Sequence, residues 1–398
     1  MNVQEQQDSA VRHTWTWKWL NDGDDHPVPQ VTTNYNEQVT GVLPQNPTAH
    51  DFLTLYLSDE IVDLIVCETN RYAEQHIQRN VIPPHSPVRT WTPTSRDEML
   101  SFLGLSILMG LVYKPRLYMY WSGDEIFRTP LFGQVMPRDR FLLLLRFLHF
   151  NDNDLYDAKD PERDRLHKIR PFLDILKSNC ASVYSPGRDL CVDESLVLFK
   201  GRIAFKQFVR TKRARFGLKL FELCTSNGIL LDLLVYHGKM RDELVDVPEH
   251  DLLFSEKVPV TLMNRYLDKG HRLFLDNYYM SPVLAQYLLH RQTKVVGTVR
   301  PTRRNFPREL AAAGIEKGES KFLAAHTGML AVKFRALQDK SNKKPKIVHM
   351  LTTDHSNRCV DTGKKTRDGT RVIKPQCITN YNRYMGGVDV VDQQLESV

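Results

Sequence analysis

Four separated aspartates are the residues of this chain best suited to chemistry. Asp193 stands inside the strand-forming run from Asp189 to Phe199 (DLCVDESLVLF), and Asp276 follows directly on the run HRLFL. A carboxylate in, or just past, a core strand is costly to bury unless a partner or a cation neutralises it. Asp389 and Asp392 lie three apart, on one face if their segment is helical, with no Lys or Arg at helical spacing to pair them. Oxygen donors carried to one point by different elements suit hard divalent cations. Two such ions about 3.5–4 Å apart can activate an attacking oxygen and stabilise a leaving one in phosphodiester chemistry. Each acid also has an ordinary reading: Asp276 as a turn or cap residue, Asp389 as the N-cap of a helix after Gly386-Gly387. Glu194, next to Asp193 on a strand, points to the opposite face and is not expected to be a ligand.

Close behind Asp193 runs a stretch of like charge. Lys200, Arg202, Lys206, Arg210, Lys212, Arg213, Arg215 and Lys219 are interrupted by no acid, and Phe199, Phe205, Phe208 and Phe216 interleave with them. Such a segment can grip phosphates and position a DNA duplex, or it can be a solvated basic loop. Arg300, Arg303, Arg304 and Arg308 form a second candidate patch.

The chain as a whole permits this chemistry. Its 398 residues can fill two or three domains with a large core. The net charge of +7 is uneven: residues 1–60 hold nine acids against Arg12 and Lys18, a balance of −7, which leaves +14 for the rest. A basic body behind an acidic leader fits a polyanionic partner. The six cysteines form no CxxC pair, which argues against a disulfide scaffold or a local zinc site and for reduced, mostly buried thiols. The opening residues lack the apolar region of a secretory signal. The longest apolar stretch, Met99 to Val112, is too short for a bilayer core of ~30 Å, so no membrane role is expected.

The elements that must position the acids form an α+β string. Residues 1–45 read as a weakly structured acidic tail. Within it Trp15, Trp17 and Trp19 alternate with polar residues and could dock, strand-like, on a partner or on the protein's own body. Residues 46–185 read as a helical domain. Apolar spacing runs from Asp51 to Ile77, and Ser95 with Glu98 has capping-box form ahead of the next helix. Further helices follow Pro137 and Pro171. From 186 to 300 three strands, with a hairpin at Asn227-Gly228, are followed by helix, strand, helix and strand. That is the order of a ribonuclease-H-like core. Residues 301–375, basic and turn-rich around Met329–Leu337 and Lys346–Thr352, read as an inserted subdomain. Residues 376–398 read as the last part of the core.

These segments resemble a known family. VDESLVLFKGR, RFGLKLFELC, FLDNYYMSP and YNRYMGGVDVVDQ, with RFLLLLRFLHFND and DRLHKIRPFLDIL upstream, are similar in order to the conserved blocks of piggyBac-type transposases and the host proteins derived from them. The resemblance spans residues 48–398. It implies a DDE/DDD enzyme in which Asp193, Asp276 and Asp389 are catalytic and, with Asp392, hold two Mg²⁺ ions that Mn²⁺ can replace. No other small-molecule cofactor is expected. It implies nicking of double-stranded DNA at transposon ends, hairpin formation, insertion at TTAA targets, action as a homodimer and a nuclear location. Residues 46–185 would then serve dimerisation and DNA binding, and 301–375 would be the insertion domain. Two departures qualify this. Lys212-Arg213-Ala214-Arg215 replaces a Lys-Pro-like segment, and family members continue past the position of Val398 into more DNA-binding structure and a cysteine-rich zinc-binding region. A domesticated or truncated DNA-binding protein without catalysis is therefore the alternative expectation. A third is an interaction protein that recruits partners through the Trp leader.

Overall fold

The computed structural model describes residues 15–21, 24–210, 215–238, 240, 243–247, 251–337, 347–366 and 369–395. Among these, residues 40–183 with 393–395 form one compact unit, and residues 15–39 with 184–392 form another.

The first unit is helical: α1 (Ala49–Tyr56), α2 (Asp59–Arg79), α3 (Arg96–Leu111), α4 (Pro130–Val135), α5 (Arg138–Phe147) and α6 (Arg170–Val183). The apolar period that runs from Asp51 is divided between two helices. Thr48 and Asp51 cap α1 reciprocally, the helix ends at Leu57, and extended backbone at Ser58 starts α2. At the third helix only half of the expected capping box forms. The Ser95 hydroxyl accepts the Glu98 amide at 3.3 Å, but the Glu98 carboxylate takes Arg140 of α5 at 2.7 Å and the Thr94 hydroxyl at 2.7 Å. That charge-assisted pair ties α3 to α5 beside the core of Ile61, Ile65, Met99, Phe102, Phe141 and Leu144. No helix among the described residues is long and apolar enough to cross a membrane.

The second unit is built on a ten-stranded mixed sheet. Its elements are β1 (Trp17–Trp19), β2 (Gln38–Val39), β3 (Tyr184–Ser185), β4 (Asp189–Leu198), β5 (Gln207–Phe208), β6 (Phe216–Thr225), β7 (Leu230–Val235), α7 (Phe254–Met263), β8 (Arg272–Leu275), α8 (Pro282–His290) and β9 (Lys294–Thr298). They continue with α9 (Arg308–Ala312), β10 (Ser320–Ala325), β11 (Leu330–Arg335), β12 (Ile347–Thr352), β13 (Cys359–Lys365), β14 (Arg371–Pro375), α10 (Gln376–Tyr384) and α11 (Gly387–Leu395). The strand order is β1-β10-β11-β12-β9-β8-β4-β6-β5, with β7 on β6. β4, β8 and β9 run parallel, while β6 and β7 form an antiparallel meander beside β4. The meander turns at Gly228, whose φ of +88° only glycine adopts readily.

Side-chain alternation gives the sheet two buried faces. Leu190, Val192, Leu273, Leu275 and Val295 point to the face covered by α7 and α8, while Cys191, Phe274 and Val296 point to the face covered by α10 and α11. At the foot of the sheet the buried Arg272 side chain donates to Asp189 and Asp354, each at 2.7 Å, and Lys294 reaches Asp354 at 3.0 Å. His355 closes this network, with Thr352 Oγ1 at 3.0 Å from Nδ1 and Asn380 of α10 at 2.8 Å from Nε2. None of the six cysteines is in a disulfide.

The structure selects one of the dockings allowed for the leader and departs from the expectation for a second segment. The weakly structured leader is ordered over its described part: Trp17–Trp19 pairs antiparallel with β10, and Gln38–Val39 pairs with Tyr184–Ser185. The backbone donors of an exposed sheet edge and a core-facing indole row are sufficient to hold it. The segment 301–375 does not stand apart as an inserted body. Its strands β10 to β12 lengthen the central sheet through the β12–β9 pairing, because Val332, Phe334 and Met350 extend the same apolar face.

Candidate active site

Asp193 sits midway along β4, on the face that also carries Cys191. In the parallel ladder Val192 is in register with Leu275, so Asp193 and Asp276 leave the sheet as neighbouring positions, and both alternate onto the α10–α11 side. Asp276 is also a turn residue, as its ordinary reading predicts: Oδ1 accepts the Tyr278 amide at 2.7 Å. Burial raises the Asp276 carboxyl pKa, the Tyr278 amide works against that rise, and the Glu194 charge adds to it.

Asp389 lies in the first turn of α11 rather than at its N-cap, since the helix begins at Gly387. Asp392 follows three residues later on the same helix. Gly387 is what lets this helix sit on the sheet. A Cβ there would lie 2.1 Å from the Thr225 carbonyl oxygen and 2.7 Å from Cys191 Sγ. The amides of Gly387 and Val388 are directed at Cys191, whose thiol burial raises to about 12.

The Tyr381 hydroxyl of α10 is pushed up to about 12 by burial. A hydrogen bond with Thr298 opposes this, and the charges of Asp276, Asp193 and Asp389 each raise it further. By ladder register and the packing of Gly387, Asp193, Asp276 and the helix carrying Asp389 lie on the same side of the sheet. Asp392 and Asp193 in turn both act on the Cys224 thiol. The donor set is all carboxylate oxygen, which is the chemistry of Mg²⁺ or Mn²⁺ sites. Even so, among the described residues no three His, Cys, Asp or Glu side chains stand close enough together to cage an ion. The acids share one side of the sheet without forming such a group.

Glu194 faces away, with its Oε2 accepting the Tyr279 hydroxyl at 3.3 Å. Sequence reasoning missed Glu222. It is the direct cross-strand partner of Asp193 on β6, it is buried, and it accepts the Ser195 hydroxyl at 2.6 Å. The signal was present: Glu222 interrupts the apolar strand LFELC at the position opposite an aspartate.

The basic stretch divides in space. β4 and β6 run on together to Leu198 and Gly217, and β5 adds to β6, which makes an arm that exposes Val197, Leu198, Phe208 and Phe216. Lys200, Arg202, Arg210 and Arg215 are exposed on this arm, and among the described residues none of them forms an ion pair. Lys206 donates to the Gly201 carbonyl at 3.0 Å. Lys212 and Arg213 fall outside the described residues. Lys219 lies away from the others, its Nζ 4.8 Å from the Phe221 ring centre and 5.1 Å from that of Tyr278.

The second patch is not a simple surface patch either. Arg300 donates to Asn277 Oδ1 at 3.0 Å, and Arg303 donates to the Asn277 and Tyr278 carbonyls at 2.8 and 2.6 Å, so both brace the Asp276 loop. Arg304 pairs with Asp251 at 2.8 Å, while Arg308 is exposed.

A family described as Transposase IS4 has a model that matches residues 48–398. The chain belongs to the piggyBac-type transposase family. PiggyBac transposable element-derived protein 3 of Homo sapiens is 27% identical over 357 residues, covering 88% of this chain and 56% of that protein. PiggyBac transposable element-derived protein 2 of Homo sapiens is 27% identical over 361 residues, covering 86% and 55%. The chain thus spans about half the length of these curated relatives. A cryo-EM structure of the piggyBac transposase synaptic complex with hairpin DNA aligns with a TM-score of 0.67 at 25% identity, over 86% of this chain and 67% of that one. This transposase-family chain therefore has a solved structural counterpart across its sheet and helices.

Proposed function

We propose that this protein cleaves and transfers DNA strands by metal-dependent phosphoryl transfer, with Asp193, Asp276 and Asp389 as the catalytic acids and Asp392 as an accompanying ligand. One observation supports the reading: the β4–β8 ladder sets Asp193 and Asp276 at neighbouring positions on the sheet face where α11, the helix carrying Asp389, packs through Gly387. The core would then be ribonuclease-H-like, with its antiparallel meander, parallel strands and closing helix set around those acids. Two Mg²⁺ ions would be held by the four aspartates and would supply charge neutralisation to attacking and leaving oxygens.

The protein's own residues set the geometry. The Tyr278 amide and the Arg303-braced loop fix Asp276, and the ladder between β4 and β8 fixes its distance from Asp193. The close approach of Gly387 sets the height of Asp389 above the sheet. The exposed cations of the β4–β6 arm would track a duplex backbone. The synaptic complex of the structural neighbour contains hairpin DNA. By family analogy this chain would act on double-stranded transposon ends and TTAA targets, as a homodimer, in the nucleus.

The test is nicking of supercoiled plasmid with Mg²⁺ or Mn²⁺ by wild type and by Asp193→Asn, Asp276→Asn and Asp389→Asn. Each substitution should lower the rate about 10³-fold or more. Equal nicking by all four proteins overturns the reading. A second reading, a DNA-binding protein that no longer cuts, is favoured by the unclosed acid set. It predicts duplex binding with no nicking in wild type and no calorimetric Mn²⁺ signal sensitive to these substitutions.

A further inference from the structure

The tryptophan leader and the arginine-rich segment after β9 are far apart in sequence, but the fold brings them face to face. β1 adds to the edge of the sheet with Trp17 opposite Ala325 and Trp19 opposite Leu323, and the rings of Trp15 and Trp17 pack half-buried on the face that Phe306 and Leu310 also cover. Between the Trp strand and residues 301–309 lies a cavity of about 1010 Å³. Its chemistry is specific. Trp15 and Trp17 line one side, Arg303, Arg304 and Arg308 line the other, and Glu309 is the only acid among the described lining residues, a balance of +2. The wall is fixed rather than loose, because Arg304 is held by Asp251 and Arg303 by the two carbonyls that follow Asp276.

We propose that this cavity binds single-stranded DNA. An unstacked base would lie against the indoles of Trp15 and Trp17, with a flanking phosphate on the exposed Arg308. Every base offers a π-face to an indole whatever its identity, and guanidinium forks match phosphate oxygens. The excess positive charge disfavours a cationic ligand, and an acidic peptide would leave the indoles unused. A duplex keeps its bases stacked, so only an unpaired strand can enter. Through Arg303 the cavity wall is joined to the loop that carries the second aspartate, so a strand opened at the acids would have a holding site next to it. In this last respect the inference rests on the strand-cleavage reading. The binding itself does not.

The experiment is fluorescence anisotropy in EDTA, using the full chain with fluorescein-labelled dT12 and, separately, a blunt duplex. Loss of one stacked base costs about 5- to 150-fold in affinity, so Trp15→Ala/Trp17→Ala should weaken dT12 binding at least tenfold. The same pair should leave duplex affinity within about twofold, and Trp15→Phe/Trp17→Phe should restore most of the dT12 affinity. Arg308→Gln, on an exposed side chain, should weaken dT12 binding and reduce the slope of log K against log salt by about 0.7. Unchanged dT12 affinity in the Ala pair and the Arg308→Gln protein alike, or an equal loss for single strand and duplex in the Ala pair, overturns the proposal. So does displacement of dT12 by polyglutamate as readily as by unlabelled dT12, which marks an acidic-peptide site. A failure of plasmid nicking leaves this outcome untouched, because no metal is present.

Discussion

The adjacent glycines Gly386 and Gly387 give an internally controlled experiment. A Cβ on Gly387 would stand 2.1 Å from a backbone oxygen, Thr225 O, and 2.7 Å from Cys191 Sγ, whereas one on Gly386 meets nothing within 4 Å. Neither residue has a positive φ, so alanine strains neither backbone locally. Contacts below 3 Å to a carbonyl oxygen are not tolerated, so Gly387→Ala must lift the start of α11 by about 1 Å, and Asp389 is two residues further along the same turn. Overpacking of this kind costs about 1–3 kcal/mol, while a 1 Å misplacement of a reacting group costs about 10²-fold in rate. Gly386→Ala should be neutral or stabilising by about 0.4–1 kcal/mol, because it only restricts the unfolded chain. Thermal melts of both variants, plasmid nicking with Mn²⁺ and calorimetric Mn²⁺ titration read the result. Gly387→Ala should melt below Gly386→Ala, bind Mn²⁺ more weakly and nick about a hundredfold more slowly. If the two variants melt together and nick like wild type, Gly387 does not set the position of Asp389.

Other predictions are briefer. Replacing Lys200, Arg202, Arg210 and Arg215 with glutamine should lower duplex affinity and reduce the salt slope by about 0.9 for each phosphate no longer neutralised, with thermal stability unchanged; retention of the full slope marks them as solvated surface. Arg272→Met leaves the partly buried Asp189 and Asp354 without the buried cation they share and should destabilise the fold by about 3–5 kcal/mol in urea denaturation. Burial holds His355 and His271 down to about 4, with the Asp354 charge and the Gly187 carbonyl respectively opposing that shift. Their folded pKa lies below the ordinary 6.5, so the unfolded chain takes up the extra protons. The stability they contribute is complete above 6.5 and lost as pH falls towards 4. Melting temperature should therefore decline across that window, and His355→Gln should flatten the decline.

Much of this architecture was legible because period and punctuation agree. The run DLCVDESLVLF is rich in strand-forming residues around Asp193, Asn227-Gly228 marks the meander turn, and both appear within a residue or two of where the sequence placed them. The leader's strand-like docking was legible in its alternating tryptophans, but the sheet edge that receives them was not. Residues 301–375 misled for a related reason: their polar turns are local, but the apolar face they extend is defined only by β9 and β12 pairing. At the site, Asp193 and Asp276 could be read from strand context. Glu222 showed only as an acid interrupting an apolar strand, and its place opposite Asp193 comes from the β4–β6 register. The bracing role of Arg300 and Arg303 was hidden for the same reason: charge is visible in a sequence, while the carbonyl it answers is not.

The docking of α11 across Cys191 and Thr225 also has a temporal consequence. A ribosome builds β4 and β8 long before it reaches residue 387, so an emerging chain displays two members of the acid set while the third has yet to be made. Contacts spanning nearly two hundred residues close late in folding. Any property that needs all three carboxylates together therefore waits on the arrival of α11.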